Sequence, residues 1–225
     1  MNLDLTQYGA GVLVLPALLT AVIAYFCGCF NGAVIVSKYI LHDDVRGHGS
    51  GNAGLTNFYR TFGGPLTVVV ILTDVLKAVV ALLAGAALAR SMVADTEALG
   101  VLGKYWAGVF CLLGHMFPCV FHFKGGKGIL SGGTIVWMLD WRIAVLVWGS
   151  FLILAILTRY VSLGSISTGI LFPVGTWFVY GEPLLLVLSI IIGGLIVWKH
   201  RGNIRRLLAG NESKFTLHRK KEDGT

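Results

Sequence analysis

Three short polar segments interrupt an otherwise apolar chain, and they hold most of its chemically able side chains. The first reads Arg46-Gly47-His48-Gly49-Ser50-Gly51-Asn52-Ala53-Gly54-Leu55-Thr56-Asn57-Phe58-Tyr59-Arg60. Its glycines match the spacing of a dinucleotide-binding loop, but no strand precedes them and no βαβ unit is available. A tight loop presenting Ser50, Asn52, Thr56 and Asn57 is the better reading, with Arg60 nearby. The planar fork of an arginine suits a phosphate, which it binds through two parallel hydrogen bonds. Taken alone, this segment reads equally well as a flexible link between helices.

The second segment is Gly114-His115-Met116-Phe117-Pro118, followed by Phe123-Lys124-Gly125-Gly126-Lys127-Gly128. It is no Walker loop, because Gly128 stands where Ser or Thr is needed and the upstream glycine is missing. Glycines ahead of a helix still leave backbone N–H groups free to face an anion, and the helix dipole adds attraction. Lys127 would add a full charge. A loop that only sets membrane orientation needs lysines, but not the surrounding glycines or the nearby His-x-x-Pro, so anion binding is the stronger reading. The third segment runs from Lys199-His200-Arg201-Gly202-Asn203 to Arg205, Arg206 and Glu212. His200 and Asn203 are three apart and share a helix face. A basic anchor on anionic lipid heads accounts for Arg205 and Arg206, and less well for His200 and Asn203.

Two further groups need a structural explanation. Asp74 and Lys77 lie within an apolar run at i,i+3 spacing, which predicts a buried ion pair that neutralises itself inside a helix bundle. The four cysteines, at 27, 29, 111 and 119, fall in or beside apolar runs with no metal-ligand spacing. No HExxH or GxSxG occurs, which argues against a zinc protease and an ordinary serine hydrolase.

The elements that must position these segments are membrane helices. The chain has 225 residues, 56% hydrophobic and 13% charged, with a mean hydropathy of +0.78. A soluble domain carries about 25% charged residues. Disorder is excluded by the low charge, and a disulfide scaffold by the few cysteines. Apolar runs at about 12–37, 65–89, 105–121, 129–139, 144–157, 168–180 and 184–198 predict an all-α polytopic integral membrane protein with seven transmembrane helices, some short. The first run is too long for a signal peptide and lacks a clear small-residue cleavage site, so it reads as an anchor. The whole chain, 1–225, reads as a single membrane domain with a polar tail at 199–225.

One face of this arrangement carries fourteen Lys and Arg with five acids, and the other carries three with five. The positive-inside rule then puts the N-terminus outside and the C-terminus in the cytoplasm. Topology alone does not require the densest glycine clusters and the six histidines to fall on or near the basic face as well. That coincidence marks it as the working face.

The three segments, in this order on one face, resemble the bacterial acyl-phosphate:glycerol-3-phosphate acyltransferase family, the PlsY type. The motifs that carry the resemblance are GSGN-x-G-x-TN with a following Arg, GH-x-FP with FKGGKG, and HR-x-NI-x-RLL-x-G-x-E, together covering about residues 24–212. Tyr160-Val161-Ser162-Leu163 and the Asp74-x-x-Lys77 pair are similar to the family too. The resemblance implies transfer of a fatty acyl group from acyl phosphate to the 1-hydroxyl of glycerol 3-phosphate, in the bacterial inner membrane. Lysophosphatidic acid and phosphate would be the products. It implies catalytic roles for Ser50, Arg60, Lys127, His200 and Asn203. Binding of substrate or phosphate would fall to Gly49, Gly51, Asn52, Thr56, Asn57, His115, Lys124, Gly125, Gly126, Gly128 and Ser162. The expected partners are the two phosphate substrates and membrane lipids, with no cofactor, metal or nucleic acid.

The residue chemistry suits such a reaction. Two phosphates in one site repel unless cations or N–H groups intervene. The donor is an activated mixed anhydride, so the acceptor hydroxyl can attack directly. Its proton would pass to His200, to Ser50 through a relay, or to a substrate phosphate oxygen. The chain departs from the family pattern at Asn31, His48, Leu55, Ala78 and 129–131, where Leu55 and Leu130 add bulk and raise an altered substrate as an alternative. An organophosphate or anion transporter is the alternative from another class, and predicts polar access from both faces. A lipid-binding membrane anchor is a third reading, and leaves Ser50, His200 and Asn203 without a task.

Overall fold

The computed structural model describes residues 3–94 and 96–215. Asp95, His218, Arg219, Lys220, Lys221, Glu222 and Asp223, which entered the comparison of the two faces, lie outside the described residues. Each expected apolar run is helical, the first of them divided at Phe30 and Asn31 into two helices. The elements are α1 (Ala10–Cys29), α2 (Gly32–Ile35), α3 (Leu55–Thr61), α4 (Leu66–Met92), α5 (Glu97–Met116), α6 (Ile129–Leu139), α7 (Trp141–Thr158), α8 (Val161–Tyr180), α9 (Pro183–Lys199) and α10 (Arg201–Leu208).

Five helical stretches are long and apolar enough to cross a membrane, and α9 with α10 makes a sixth if that pair, bent by 55°, is taken together. The remaining expected span, the run at 129–139, is α6 and has 11 residues. At about 1.5 Å per residue it reaches about 16 Å, roughly half of a hydrocarbon core of about 30 Å. The helices α5 and α8 begin well before the runs at 105 and 168. Hydropathy misses these first turns because their inward positions are small or polar: Gly100 and Gly103 in α5, Ser162 and Ser165 in α8. Thr96 caps α5 by accepting from the Leu99 amide, and Asp140 caps α7 by accepting from the Arg142 amide.

The central helix is α5. It buries 72% of its apolar window, against 17% for α7, whose outer face meets lipid. Without a hydrophobic force between helices in lipid, close packing needs small residues at the crossings. At the α1–α5 crossing, a side-chain carbon on Gly28 would strike the Cys111 carbonyl, and one on Gly114 would strike the Tyr25 carbonyl. At the α4–α5 crossing, Gly85 and Gly103 each lie against the other's carbonyl, and Gly169 and Gly193 do the same between α8 and α9. Part of the glycine content is therefore packing. Asp74 and Lys77 form the expected pair, 2.6 Å apart and both buried.

These contacts predict an asymmetry between glycines. Gly114→Val should destabilise the bundle by about 1–3 kcal/mol, as overpacking does. Gly149→Val, whose side chain would point into open space, should leave the thermal unfolding midpoint in detergent unchanged. Equal midpoints for both variants would remove the packing role of Gly114.

Candidate active site

The first segment is a loop closed on itself by one side chain. Asn57, carried on α3 and buried, accepts from the Ser50 amide at 3.1 Å and donates to the Val45 and His48 carbonyls, each at 3.0 Å. Gly49 must be glycine twice over: its φ is +54°, and a side chain there would run into the Asn57 amide oxygen. Arg46 ties this loop to the second segment. Its guanidinium is held by Asp44 and donates to the Phe121 carbonyl at 3.0 Å and the Lys124 carbonyl at 3.3 Å. Hydrogen bonding to Arg46 keeps the Asp44 carboxyl below the usual range. The result is an ordered loop with Ser50, Thr56 and Arg60 left exposed.

The second segment leaves α5 at Phe117 and Pro118, turns at Cys119–Phe121, and returns beneath His115 to enter α6. The Gly126 amide donates to the His115 carbonyl at 3.1 Å. Side chains on Gly125 or Gly126 would collide with the His115 backbone and ring respectively. These two glycines therefore let the loop lie flat on α5, and the Gly126 N–H is committed there and not free for an anion. Gly128, at φ +78°, turns the chain into α6 against Leu112. This places Lys127 with Nζ donating to Asn203 Oδ1 at 2.6 Å.

The third segment begins where α9 breaks at His200. The buried His200 ring sets Nδ1 2.8 Å from the Ile196 carbonyl. On α10, Asn203 Nδ2 donates to Glu212 Oε1 and Arg206 Nε to Glu212 Oε2, both at 2.7 Å. Lys199 Nζ donates to the Met116 carbonyl at 3.1 Å and sits over the Phe117 ring, holding the end of α9 to the end of α5.

One cavity of about 1160 Å³ lies between the segments. The first contributes Gly49, Ser50, Asn52, Thr56, Asn57 and Arg60 to its wall. The others contribute His115, Lys127, Gly128, His200 and Asn203, and α8 adds Ser162. Gly51, Lys124, Gly125 and Gly126 are not in this wall. Lys124 is exposed and offers its carbonyl to Arg46. Leu55 and Leu130, the bulky departures, do line the cavity.

Sequence reading missed Glu212 and Arg206 as site residues. Glu212 is an acid in a basic segment, just beyond the left-handed Gly210 that turns the chain back, and that was the available signal. Burial opposes its ionisation, but the hydrogen bonds from Asn203 and Arg206 outweigh burial and hold its carboxyl below the usual range. Ser162 Oγ is buried with no hydrogen bond within 3.5 Å among the described residues. Lys127 is shifted the other way: burial first, then the charge of Arg206, bring its ammonium down to about 8, while Glu212 opposes. The arrangement is a half-buried lysine among cations, fixed by an amide and a single carboxylate, in a space large enough for more than one anion.

The family described as glycerol-3-phosphate acyltransferase matches residues 18–210. The chain belongs to that family. Among curated relatives, a glycerol-3-phosphate acyltransferase of Thermoanaerobacter sp. (strain X514) is 38% identical over 199 residues, covering 88% of this chain and 96% of the relative. That of Pseudomonas putida (strain KT2440) is 36% identical over 198 residues, covering 88% and 98%. The fold is similar to crystal structures of PlsY, an integral membrane glycerol 3-phosphate acyltransferase. Its glycerol 3-phosphate form gives a TM-score of 0.78 at 32% identity, covering 89% of this chain and 96% of that one. Its lysophosphatidic acid form gives 0.75 at the same identity. This member of the family is a multi-pass membrane protein.

The depressed lysine sets a pH dependence for anion binding. Lys127 carries its charge below about 8 and loses it as pH rises through that value. Inorganic phosphate affinity, measured by titration calorimetry in detergent, should weaken as pH rises through about 8. Lys127→Arg should move that decline to higher pH, since a guanidinium stays charged. A pH-independent affinity in the wild type would remove Lys127 from the phosphate contact.

Proposed function

We propose that the chain transfers a fatty acyl group from an acyl phosphate to the 1-hydroxyl of glycerol 3-phosphate, releasing lysophosphatidic acid and phosphate. Family membership, and the glycerol 3-phosphate and lysophosphatidic acid forms of the solved relative, support the acceptor and the product. The observation that carries the reading is the cavity wall. Arg60, Lys127, Lys199, Arg201, Arg205 and Arg206 surround one space together with two acids, Glu212 and the Lys77-paired Asp74. That excess of cations suits two phosphates, the donor's beside the acceptor's.

Direct attack needs no covalent enzyme intermediate. The 1-hydroxyl oxygen bonds to the acyl carbonyl carbon, and the bond from that carbon to the phosphate oxygen breaks. Phosphate departs with the former bonding pair. The hydroxyl proton passes to His200. A carbonyl only accepts, so the 2.8 Å contact with Ile196 puts the hydrogen on Nδ1 and leaves the Nε2 lone pair to take that proton. Lys127 and Arg60 balance the phosphate charge, Asn203 aims Lys127, and Ser50 and Ser162 offer hydroxyls to bound oxygens. No cofactor or metal takes part in this scheme.

The surrounding bundle is a single membrane domain of the bacterial inner membrane. Counting α6 as a short seventh crossing, its N-terminus is outside and its cavity faces the cytoplasm, with the acyl chain among the helices. The basic excess of the segments that meet at the cavity supports this orientation. A fluorescent protein fused after residue 225 should therefore mature, and a periplasmic phosphatase fused there should stay inactive. The reverse result would invert the topology.

Purified protein in detergent should form lysophosphatidic acid from acyl phosphate and glycerol 3-phosphate. Lys127→Ala and Arg60→Ala should each lower kcat/KM by about 10²-fold or more, the scale on which a preorganised donor acts. Wild-type kinetics in either variant would end its assigned role. Absence of turnover at every acyl length tried, with uptake of glycerol 3-phosphate into proteoliposomes, would favour transport instead.

A further inference from the structure

Three buried side chains at the floor of the cavity form a chain of contacts that the scheme above leaves unused. Lys77 Nζ lies 2.6 Å from Asp74 Oδ1, 3.1 Å from the Phe30 carbonyl and 2.7 Å from His115 Nδ1. An ammonium has three hydrogens and no acceptor. The carboxylate and the carbonyl take two of them, and the third points at His115. Nδ1 must then accept, because a hydrogen there would face an N–H at 2.7 Å. Asp74 does not bond the ring itself, being 3.8 Å from Nδ1. Fixing the role of one imidazole nitrogen fixes the other. His115 is a neutral ring with its hydrogen on Nε2.

That nitrogen belongs to a residue in the cavity wall. It has no hydrogen-bond partner among the described residues, and it lies over Gly126, where any side chain would overlap it. His200, in the same wall, is fixed the other way, with its hydrogen on Nδ1 turned to Ile196.

We propose that the Asp74–Lys77 pair is a positioning device that locks His115 as an Nε2–H donor to a substrate oxygen. The two histidines of the site thereby divide its proton chemistry, His115 donating a hydrogen bond and His200 accepting the proton. The proposal rests on the acyltransfer reading for its substrate, and on hydrogen bonding alone for the two ring states. A structural pair of this kind needs no histidine to balance it, since Asp74 and Lys77 already neutralise each other. The choice of Nδ1 as the third acceptor has a consequence only at Nε2.

The experiment uses the full chain in detergent with ¹⁵N-labelled histidine, the signals assigned by their loss in His115→Gln and His200→Gln. The expected spectrum shows Nδ1 bare and Nε2 protonated in His115, and the reverse in His200. The same nitrogen protonated in both rings overturns the proposal. His115→Gln, whose amide places an N–H near the Nε2 position, should keep kcat/KM within about tenfold, and His115→Leu should lose about 10²-fold, as removal of a preorganised donor does. Equal loss in both variants, or none in His115→Leu, overturns it.

Asp74→Asn with Lys77→Met removes the pair without stranding a charge. The His115 signals should then change state, and kcat should fall in a protein that still unfolds cooperatively. Unchanged histidine signals with wild-type kcat overturn the role of the pair. If the wild type turns over no acyl phosphate, the acyltransfer reading fails, while the spectrum still decides the two ring states.

Discussion

The hydrogen bond from Lys127 Nζ to Asn203 Oδ1 joins segments 76 residues apart, and the shape of the site depends on it. Lys127 arrives on a loop that two glycines press against α5. Asn203 arrives on a helix that begins only because α9 breaks at His200. A half-buried ammonium without a partner would turn away or lose its proton. The amide oxygen gives it one partner and no countercharge, so the positive field remains available to an anion. Glu212 then holds the amide by its other end, and Arg206 holds Glu212. A carboxylate bonded directly to Lys127 would have tied the lysine down just as well and cancelled its charge.

The same economy of countercharge runs through the deeper part of the molecule. The buried acid near the cavity, Asp74, is neutralised by Lys77, so the apolar interior carries no net charge there. Around the cavity the cations come from the three polar segments, as Arg60, Lys127, Lys199, Arg201, Arg205 and Arg206. Arg46 belongs to this scheme as well, because Asp44 neutralises it while it bonds two carbonyls of the neighbouring loop. Cations that build the site are thus paired, and Arg60 and Lys127 are spared from direct carboxylate bonds among the described residues.

Much of this was legible in the sequence, for physical reasons that differ between elements. The apolar runs located α4, α6, α7 and α9 well, because those helices meet lipid or the core over most of their length, whereas the run at 12–37 hid the break at Phe30 and Asn31 that ends α1. The beginnings of α5 and α8 were hidden because their inward residues are small or polar, which hydropathy reads as loop. The grouping of Ser50, Arg60, Lys127, His200 and Asn203 was legible because all fall in polar interruptions on one face. The tasks of Asn57, Gly125 and Gly126 were not. Asn57 closes its own loop, and the glycines serve close approach to α5, which only the three-dimensional path reveals. Glu212 was read as part of a motif but not as a partner of Asn203, since nothing in a linear pattern shows that the chain turns back at Gly210.

The length of α6 explains why a polar cavity can exist in so apolar a bundle. A helix of 11 residues cannot reach from one surface to the other. The loop that precedes it must therefore lie below the level of the other helix ends, or the turn that follows it must. Two observations favour the first. Gly126 lies under the last turn of α5, bonded to the His115 carbonyl, and Ser131 in the first turns of α6 donates to the carbonyl of Asp74. The start of α6 is thus sunk to the depth of the buried ion pair. Backbone outside a helix is tolerated at such depth only where protein covers it or a wet cavity receives it. Here α5 covers the glycines and the cavity receives Lys127. For the proposed reaction the sunken loop has a direct use: it brings a phosphate-binding cation down to the level at which an acyl chain, lying among helices, would present its reactive end.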